Sequence, residues 1–100
     1  MKVLIDDTKA GVDFDVVIRS GQAAIQFFYE YEFLEVSLLG IDFDLGDELF
    51  NGLHVLQHLE NSDVLPASIV IASNNPVGRQ KIAAYLREIG FTERVGRFVR

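Results

Sequence analysis

Cysteine is absent from this chain of 100 residues, so neither disulfide bonds nor thiolate metal sites contribute to its structure. No apolar run approaches the ~20 residues of a membrane-spanning helix, and no basic segment leads into an apolar one as in a secretory signal. We therefore expect a soluble cytoplasmic protein with no membrane partner. A basic stripe is also lacking and the net charge is −6, which argues against general binding of nucleic acid.

Apolar residues are plentiful. They make up 49% of the chain, and eight phenylalanines and three tyrosines supply bulky side chains for a core. A chain of this length forms one domain, and we predict a single domain over residues 1–100.

Short, nearly continuous apolar runs alternate with segments of helical periodicity. The runs predict strands over residues 2–5, 16–18, 36–43, 68–72 and 95–99. Apolar residues recur at helical spacing between them, at Ala24, Phe27, Phe28 and Tyr31, at Leu53, Leu56 and Leu59, and at Ile82, Ala83, Leu86 and Ile89. This order predicts a three-layer α/β fold whose sheet has five mostly parallel strands, with both faces covered.

Acidic and amide side chains follow three of the predicted strands. Asp6 and Asp7 follow the first strand, Asp42 and Asp44 end the third, and Ser73 follows the fourth. Ligands bind at the carboxyl ends of such strands, where four carboxylates repel one another unless they share a cation or a proton. We predict an Mg²⁺ site at these aspartates, with Asp42 and Asp44 as the catalytic pair. The alternative is that Asp7 and Asp44 are turn or cap residues.

The pair Asn75-Pro76 predicts the start of a helix, because asparagine is a favoured N-cap and proline suits the first helical position. We expect free backbone amides there, beside the aspartates. Gly78 would allow a ligand to approach, and Arg79 would add a cation for phosphate. An ordinary helix start with a surface arginine is the alternative.

Two further features have structural explanations. His54 and His58 are spaced four residues apart, as metal ligands on a helix can be, but no third ligand supports them. The aromatic run over residues 27–33 exceeds the needs of one helix face. We expect core packing there, with contact to a second copy or a protein partner as the alternative.

These motifs together resemble a known family. The segments Leu4-Ile5-Asp6-Asp7, Ile41-Asp42-Phe43-Asp44-Leu45-Gly46 and Ser73-Asn74-Asn75-Pro76-Val77-Gly78-Arg79 are similar to those of the cyclic-phosphate processing receiver-like domains of prokaryotes and phages. The resemblance implies an abbreviated receiver-like (flavodoxin-like) fold. It also implies a site lined by Asp7, Asp42, Asp44, Ser73, Asn75 and Arg79 that binds or processes a cyclic phosphate or cyclic nucleotide.

The chain departs from the family pattern at two positions. The family usually has histidine where this chain has Phe43 and Ala72. Histidine is the usual proton-transfer group near neutral pH, so ligand binding is expected to persist better than phosphodiesterase-like cleavage. A catalytically inactive module that binds another protein is the alternative. Transfer of phosphate to Asp42 or Asp44 is not expected, because the last strand lacks the lysine that phosphorylated receivers use.

Overall fold

The computed structural model describes residues 1–32, 34–47 and 49–100. These form a six-stranded sheet and three helices in the order β-β-α-β-α-β-α-β-β. The strands are β1 (Lys2–Ile5), β2 (Val16–Ile18), β3 (Leu38–Ile41), β4 (Ser68–Ile71), β5 (Thr92–Arg94) and β6 (Arg97–Val99). The helices are α1 (Gly21–Glu30), α2 (Gly52–Asn61) and α3 (Pro76–Glu88).

The strand order in the sheet is β2-β1-β3-β4-β6-β5. The first four of these run parallel, with Val3 paired to Val16 and to Leu39, and Leu39 paired to Ile69. Their carboxyl ends therefore lie at one end of the sheet. The mostly parallel α/β class and the receiver-like fold are confirmed.

The helices pack on one face of the sheet. Every second residue of the parallel strands enters the same buried cluster as the inner faces of the helices. The strand residues of this cluster include Val3, Ile5, Leu39, Ile41, Ile69 and Ile71, and the helix residues are Ala24, Phe28, Val55, Leu56, Leu59, Ile82 and Leu86. β3 is shorter than the predicted strand over residues 36–43. Val36 and Phe43 are apolar because they pack against this cluster, but they do so from outside the strand ladder.

The opposite face, which we call the second face, is covered differently. Among the described residues, the connection over residues 8–15 lies on this face, and no helix does. A side chain built on Gly40 would contact the Phe14 ring and Leu4, so this ring lies over the centre of the second face. The predicted third layer is thus a thin, irregular segment, because the connection from β1 to β2 is too short to include a helix beside the turn that it makes.

The strand count also differs from the prediction, which placed one strand over residues 95–99. The chain turns at Val95 and Gly96, whose φ angles are +49° and +79°, and Thr92–Arg94 pairs antiparallel with Arg97–Val99. β6 in turn pairs antiparallel with β4. The charged sequence Thr92-Glu93-Arg94 gave no apolar run to reveal β5, which is an exposed edge strand.

Capping residues mark the starts of the first two helices. Ser20 caps α1 by accepting a hydrogen bond from the amide of Ala23, as the sequence predicted. At the start of α2, Asn51 and His54 exchange hydrogen bonds in a capping box, which gives His54 a structural role. Phe33, the last residue of the aromatic run, lies outside the described residues. Within the described part of the chain, the helices are too short or too polar to cross a membrane.

Candidate functional site

The candidate site lies at the carboxyl ends of β1, β3 and β4, which are neighbours in the sheet. The ladder of hydrogen bonds continues one residue beyond each strand: the Asp42 amide donates to Ile5 at 2.9 Å, and the Ala72 amide donates to Ile41 at 2.8 Å. The Asp6 amide likewise donates to Ile18 at 3.0 Å. The backbone beneath the site is therefore held as firmly as the strands themselves.

Three carboxylates converge above this backbone. One oxygen from each of Asp6, Asp7 and Asp42 lies within 4.8 Å of the others, and we call these residues the acidic trio. Hard oxygen atoms at this spacing suit Mg²⁺, which binds one or two carboxylates and retains several waters.

Asp6 is the innermost member of the trio and is fully buried. Its Oδ1 accepts hydrogen bonds from the amides of Thr8 and Lys9, both at 3.0 Å. Its Oδ2 is buried and accepts no hydrogen bond, although the ammonium group of Lys9 lies 3.8 Å away. A buried charged oxygen without a hydrogen-bond partner is costly, and a bound cation would satisfy it.

Asp42 is 8% exposed and carries the perturbed carboxyl of the site. Burial raises the pKa of Asp42 above its ordinary value, and the negative charge of Asp6 raises it further. The side chain of Ser73, the Asp44 amide and the charge of Lys9 lower this pKa without reversing the net direction. The trio therefore has an excess of negative charge.

Asp44 is not a member of the trio. Its side chain is exposed and accepts a hydrogen bond from the amide group of Asn75 at 3.2 Å, which links the loop after β3 to the start of α3. It also lines an open cavity of about 300 Å³, together with Leu45, Gly46, Asp47 and Asn51. The sequence analysis predicted one group of four carboxylates. In the structure, three of them converge and Asp44 lies beside them.

The start of α3 has the predicted N-cap but not the predicted free amides. Asn75 Oδ1 accepts hydrogen bonds from the amides of Val77 and Gly78, both at 3.1 Å. The Ser73 hydroxyl accepts one from the Asn75 amide at 3.1 Å. The expectation of free amides was wrong because the cap itself uses these donors, and proline has none.

Gly78 contacts an aromatic ring. A Cβ atom at this position would overlap the ring of Phe43, so glycine is required for the ring to lie against the first turn of α3. The ammonium group of Lys81 lies 5.9 Å from the centre of the same ring, within cation–π distance. The space that we predicted for a ligand at Gly78 is thus filled by Phe43.

Arg79 points to the main chain of β4. Its Nη1 donates to the carbonyl oxygens of Ile71 at 3.0 Å and Ser73 at 2.9 Å. The side chain also lines a cavity of about 290 Å³ between α3 and the β5–β6 hairpin, and this cavity includes none of the trio. Arg79 therefore supports the backbone of Ser73, which follows β4 and whose side chain is hydrogen-bonded to Asp42.

Two basic residues near the trio were missed by the sequence interpretation. Lys9 pairs with Asp6, and Arg19 Nη1 donates to the carbonyl oxygens of Lys9 and Asp6 at 2.6 and 3.2 Å. Lys9 stands three residues after a strand-end aspartate, and Arg19 directly follows β2, the neighbour of β1. The position of each residue shortly after a strand is the sequence signal that could have identified it as part of the site.

Comparison with protein families finds a match for most of the chain. The family model described as the cyclic-phosphate processing receiver domain matches residues 1–88. The match runs from β1 to the end of α3, so it includes the acidic trio and Ser73 and stops before the β5–β6 hairpin. The search of curated proteins found no match.

Proposed function

Since the chain belongs to the family of cyclic-phosphate processing receiver domains, we propose that it binds a cyclic-phosphate or cyclic-nucleotide ligand with the help of a divalent cation at the acidic trio. The observation that supports this proposal most strongly is the buried Oδ2 of Asp6. It lacks a hydrogen-bond partner, and one oxygen of Asp6 lies within 4.8 Å of an oxygen from each of Asp7 and Asp42.

The residues present fit a hard cation such as Mg²⁺. Asp6, Asp7 and Asp42 would hold it, and the amides of Thr8 and Lys9 would keep the Asp6 carboxylate in place through Oδ1. When bound, the cation supplies the positive charge that an anionic ligand needs at an otherwise negative site.

Basic groups beside Asp6 and beside Phe43 would complete the phosphate site. Lys9 is half-exposed beside Asp6, and Lys81 is held over the ring of Phe43. Ser73 and Asn75 precede α3: the Ser73 hydroxyl accepts a hydrogen bond from the Asn75 amide, and the Asn75 side chain donates one to Asp44 beside the trio. Arg79 contributes indirectly through the carbonyl of Ser73.

Binding fits the side chains better than cleavage does. The positions where the family usually has histidine carry Phe43 and Ala72, and the two histidines of the chain both lie on α2. A phosphodiester needs a group that transfers protons near neutral pH, and a phenyl ring and a methyl group cannot do so. We therefore assign the site to recognition.

Isothermal titration with MgCl₂, followed by a panel of cyclic nucleotides and nucleosides with cyclic phosphate ends, tests this function. We expect Mg²⁺ to bind the wild-type protein and at least one panel member to bind only when Mg²⁺ is present. Asp42→Asn should abolish both, because it removes one of three charged ligands. Asp63→Asn is the matched control, since Asp63 is exposed and its φ of +58° suits asparagine.

Two results would contradict the proposal. One is the absence of Mg²⁺ binding to the wild-type protein, and the other is equal binding to Asp42→Asn. Silence of the whole panel in the presence of bound Mg²⁺ would reject the cyclic-phosphate ligand while leaving the cation site intact.

A second candidate function is a catalytically inactive module that binds another protein. The observation that favours it is the second face of the sheet, which no helix covers in the described residues, together with Phe43 and Ala72 at the histidine positions. Affinity capture that finds a stoichiometric partner, retained equally by Asp42→Asn and lost in variants of the second face, would support it over ligand binding.

A further inference from the structure

The second face is apolar but lacks a helical layer in residues 1–32, 34–47 and 49–100. Phe14 covers its centre at Leu4 and Gly40. Its remaining apolar side chains are half-buried and are spread over four strands, at Val17 in β2, Leu38 in β3, Val70 in β4 and Val99 in β6. A mostly parallel sheet normally has both faces covered. We propose that a second copy of this chain packs on the second face and supplies the missing layer, independently of the ligand function proposed above.

The two edges of the second face carry opposite charges around exposed valines. At the β2 edge, Val12 is 88% exposed and is followed by Asp13 and Asp15. We call these three residues the acidic edge. At the opposite edge, Val95 is fully exposed between Arg94 and Arg97, and we call these three residues the basic tip.

Both segments belong to the second face. The acidic edge is part of the connection that covers it, because a side chain on Gly11 would contact Leu4 and Val17. In the hairpin, Phe98 points into the helical core, so its neighbour Arg97 and the paired Arg94 point the other way. Within the described ranges, Asp13, Arg94 and Arg97 form no ion pair, which leaves their charges available.

The acidic edge lies near the amino ends of the parallel strands and the basic tip near their carboxyl ends, so a two-fold axis in the plane of the second face, oblique to the strands, exchanges the two segments. The acidic edge of each copy then meets the basic tip of the other, so the contact between unlike charges occurs twice and the assembly closes as a dimer. The exposed valines meet in the same two places. A partner protein would need to reproduce this pairing, whereas a second copy supplies it by symmetry.

The dimensions of the second face determine the expected affinity of the dimer. Six strands at a spacing of ~4.8 Å give a width of about 24 Å, and strands of four residues are about 13 Å long. A flat face of these dimensions covers about 310 Å², so two such faces bury on the order of 600 Å² in total, in the range of weak and transient interfaces. We therefore expect a reversible dimer in the micromolar range.

Sedimentation velocity across the micromolar range, in buffer with EDTA, tests the dimer. Asp13→Lys alone and Arg94→Glu alone should each weaken self-association about tenfold or more, because each places like charges opposite one another twice. An equimolar mixture of the two variants should restore a dimer, since each altered charge then faces an unlike one. Glu88→Lys, an equal change of charge at an exposed position of α3, should leave dimerisation unchanged.

Several outcomes would overturn the inference. A wild-type protein that stays monomeric throughout the range rejects it. A dimer that persists in both single variants uses another surface, and failure of the mixture to associate rejects the pairing of acidic edge with basic tip. Asp42→Asn should dimerise normally, so loss of the ligand function and loss of the dimer are distinguishable.

Discussion

Phe43 and Gly78 illustrate at the scale of single residues how the site has been altered. The ring of Phe43 occupies the space that a side chain at Gly78 would need, and Lys81 lies over the ring. Phe43, which directly follows Asp42, is thereby a packing residue that contacts the first turn of α3. Its phenyl ring has no group that could transfer a proton.

The first prediction concerns this packing. Gly78→Ala should lower the free energy of unfolding by roughly 1–2 kcal/mol, because overpacking against Phe43 outweighs the gain of about 1 kcal/mol in helix propensity. In a Phe43→Ala background the same substitution should instead raise it by roughly 0.5–1 kcal/mol. Urea denaturation of the four proteins measures both effects, and a loss of equal size in both backgrounds would show that the ring is not the obstacle.

The β5–β6 hairpin is the element that least follows local preference. Its turn places Val95 at a φ of +49° and Gly96 at +79°, and a turn with two positive φ angles favours Asn-Gly. A β-branched side chain at positive φ is strained, and nothing in the hairpin offsets this strain, since Val95 is fully exposed. An interface at the basic tip would bury this valine against the second copy.

The second prediction follows from this strain. Val95→Asn should raise the free energy of unfolding by about 1 kcal/mol, because asparagine tolerates the left-handed region far better than valine. The measurement is chemical denaturation at a protein concentration low enough to keep the chain monomeric. Val12→Asn, which changes an equally exposed valine without a positive φ, should have little effect. Equal stability of Val95→Asn and wild type would refute the strain argument.

At the scale of the whole molecule, the burial of Asp42 beside Asp6 lowers the stability of the fold at neutral pH. Ionised Asp42 is buried near Asp6, and its pKa is raised, so the folded state holds its proton more tightly than the unfolded chain does. The stabilising contribution of protonated Asp42 is fully present below the unfolded pKa and is lost as the pH rises through the folded pKa.

The third prediction applies this linkage. In EDTA, Asp42→Asn should be more stable than wild type near neutral pH, and the difference should shrink as the pH falls through the pKa of Asp42. Added Mg²⁺ should reverse the order by stabilising only the wild type. Thermal unfolding between about pH 4 and pH 8, with and without Mg²⁺, measures this. A difference that grows toward acid pH would contradict the direction of the shift.

The sequence predicted the layout of the molecule well and the chemistry of α3 poorly. Apolar runs and strand-end aspartates fixed β1, β3 and β4 and brought Asp6 next to Asp42, because parallel strands must end together. The predicted Asn75 cap already implied that its side chain accepts hydrogen bonds from the first amides of α3, and the expectation of free amides did not take this into account. The direction of Arg79 depends on a rotamer that no sequence pattern encodes. The edge strand Thr92–Arg94 escaped prediction because it buries none of its side chains.

Because β1 and β3 each have a hydrogen-bonded strand on both sides, their amides become accessible to solvent deuterons only when the sheet opens as a whole. Asp6 and Asp42 follow these two strands directly, so we expect the backbone that carries these two carboxylates to be among the slowest to exchange. The β5 edge can fray on its own. An ion at the trio would therefore leave at a rate that is independent of fluctuations in the hairpin.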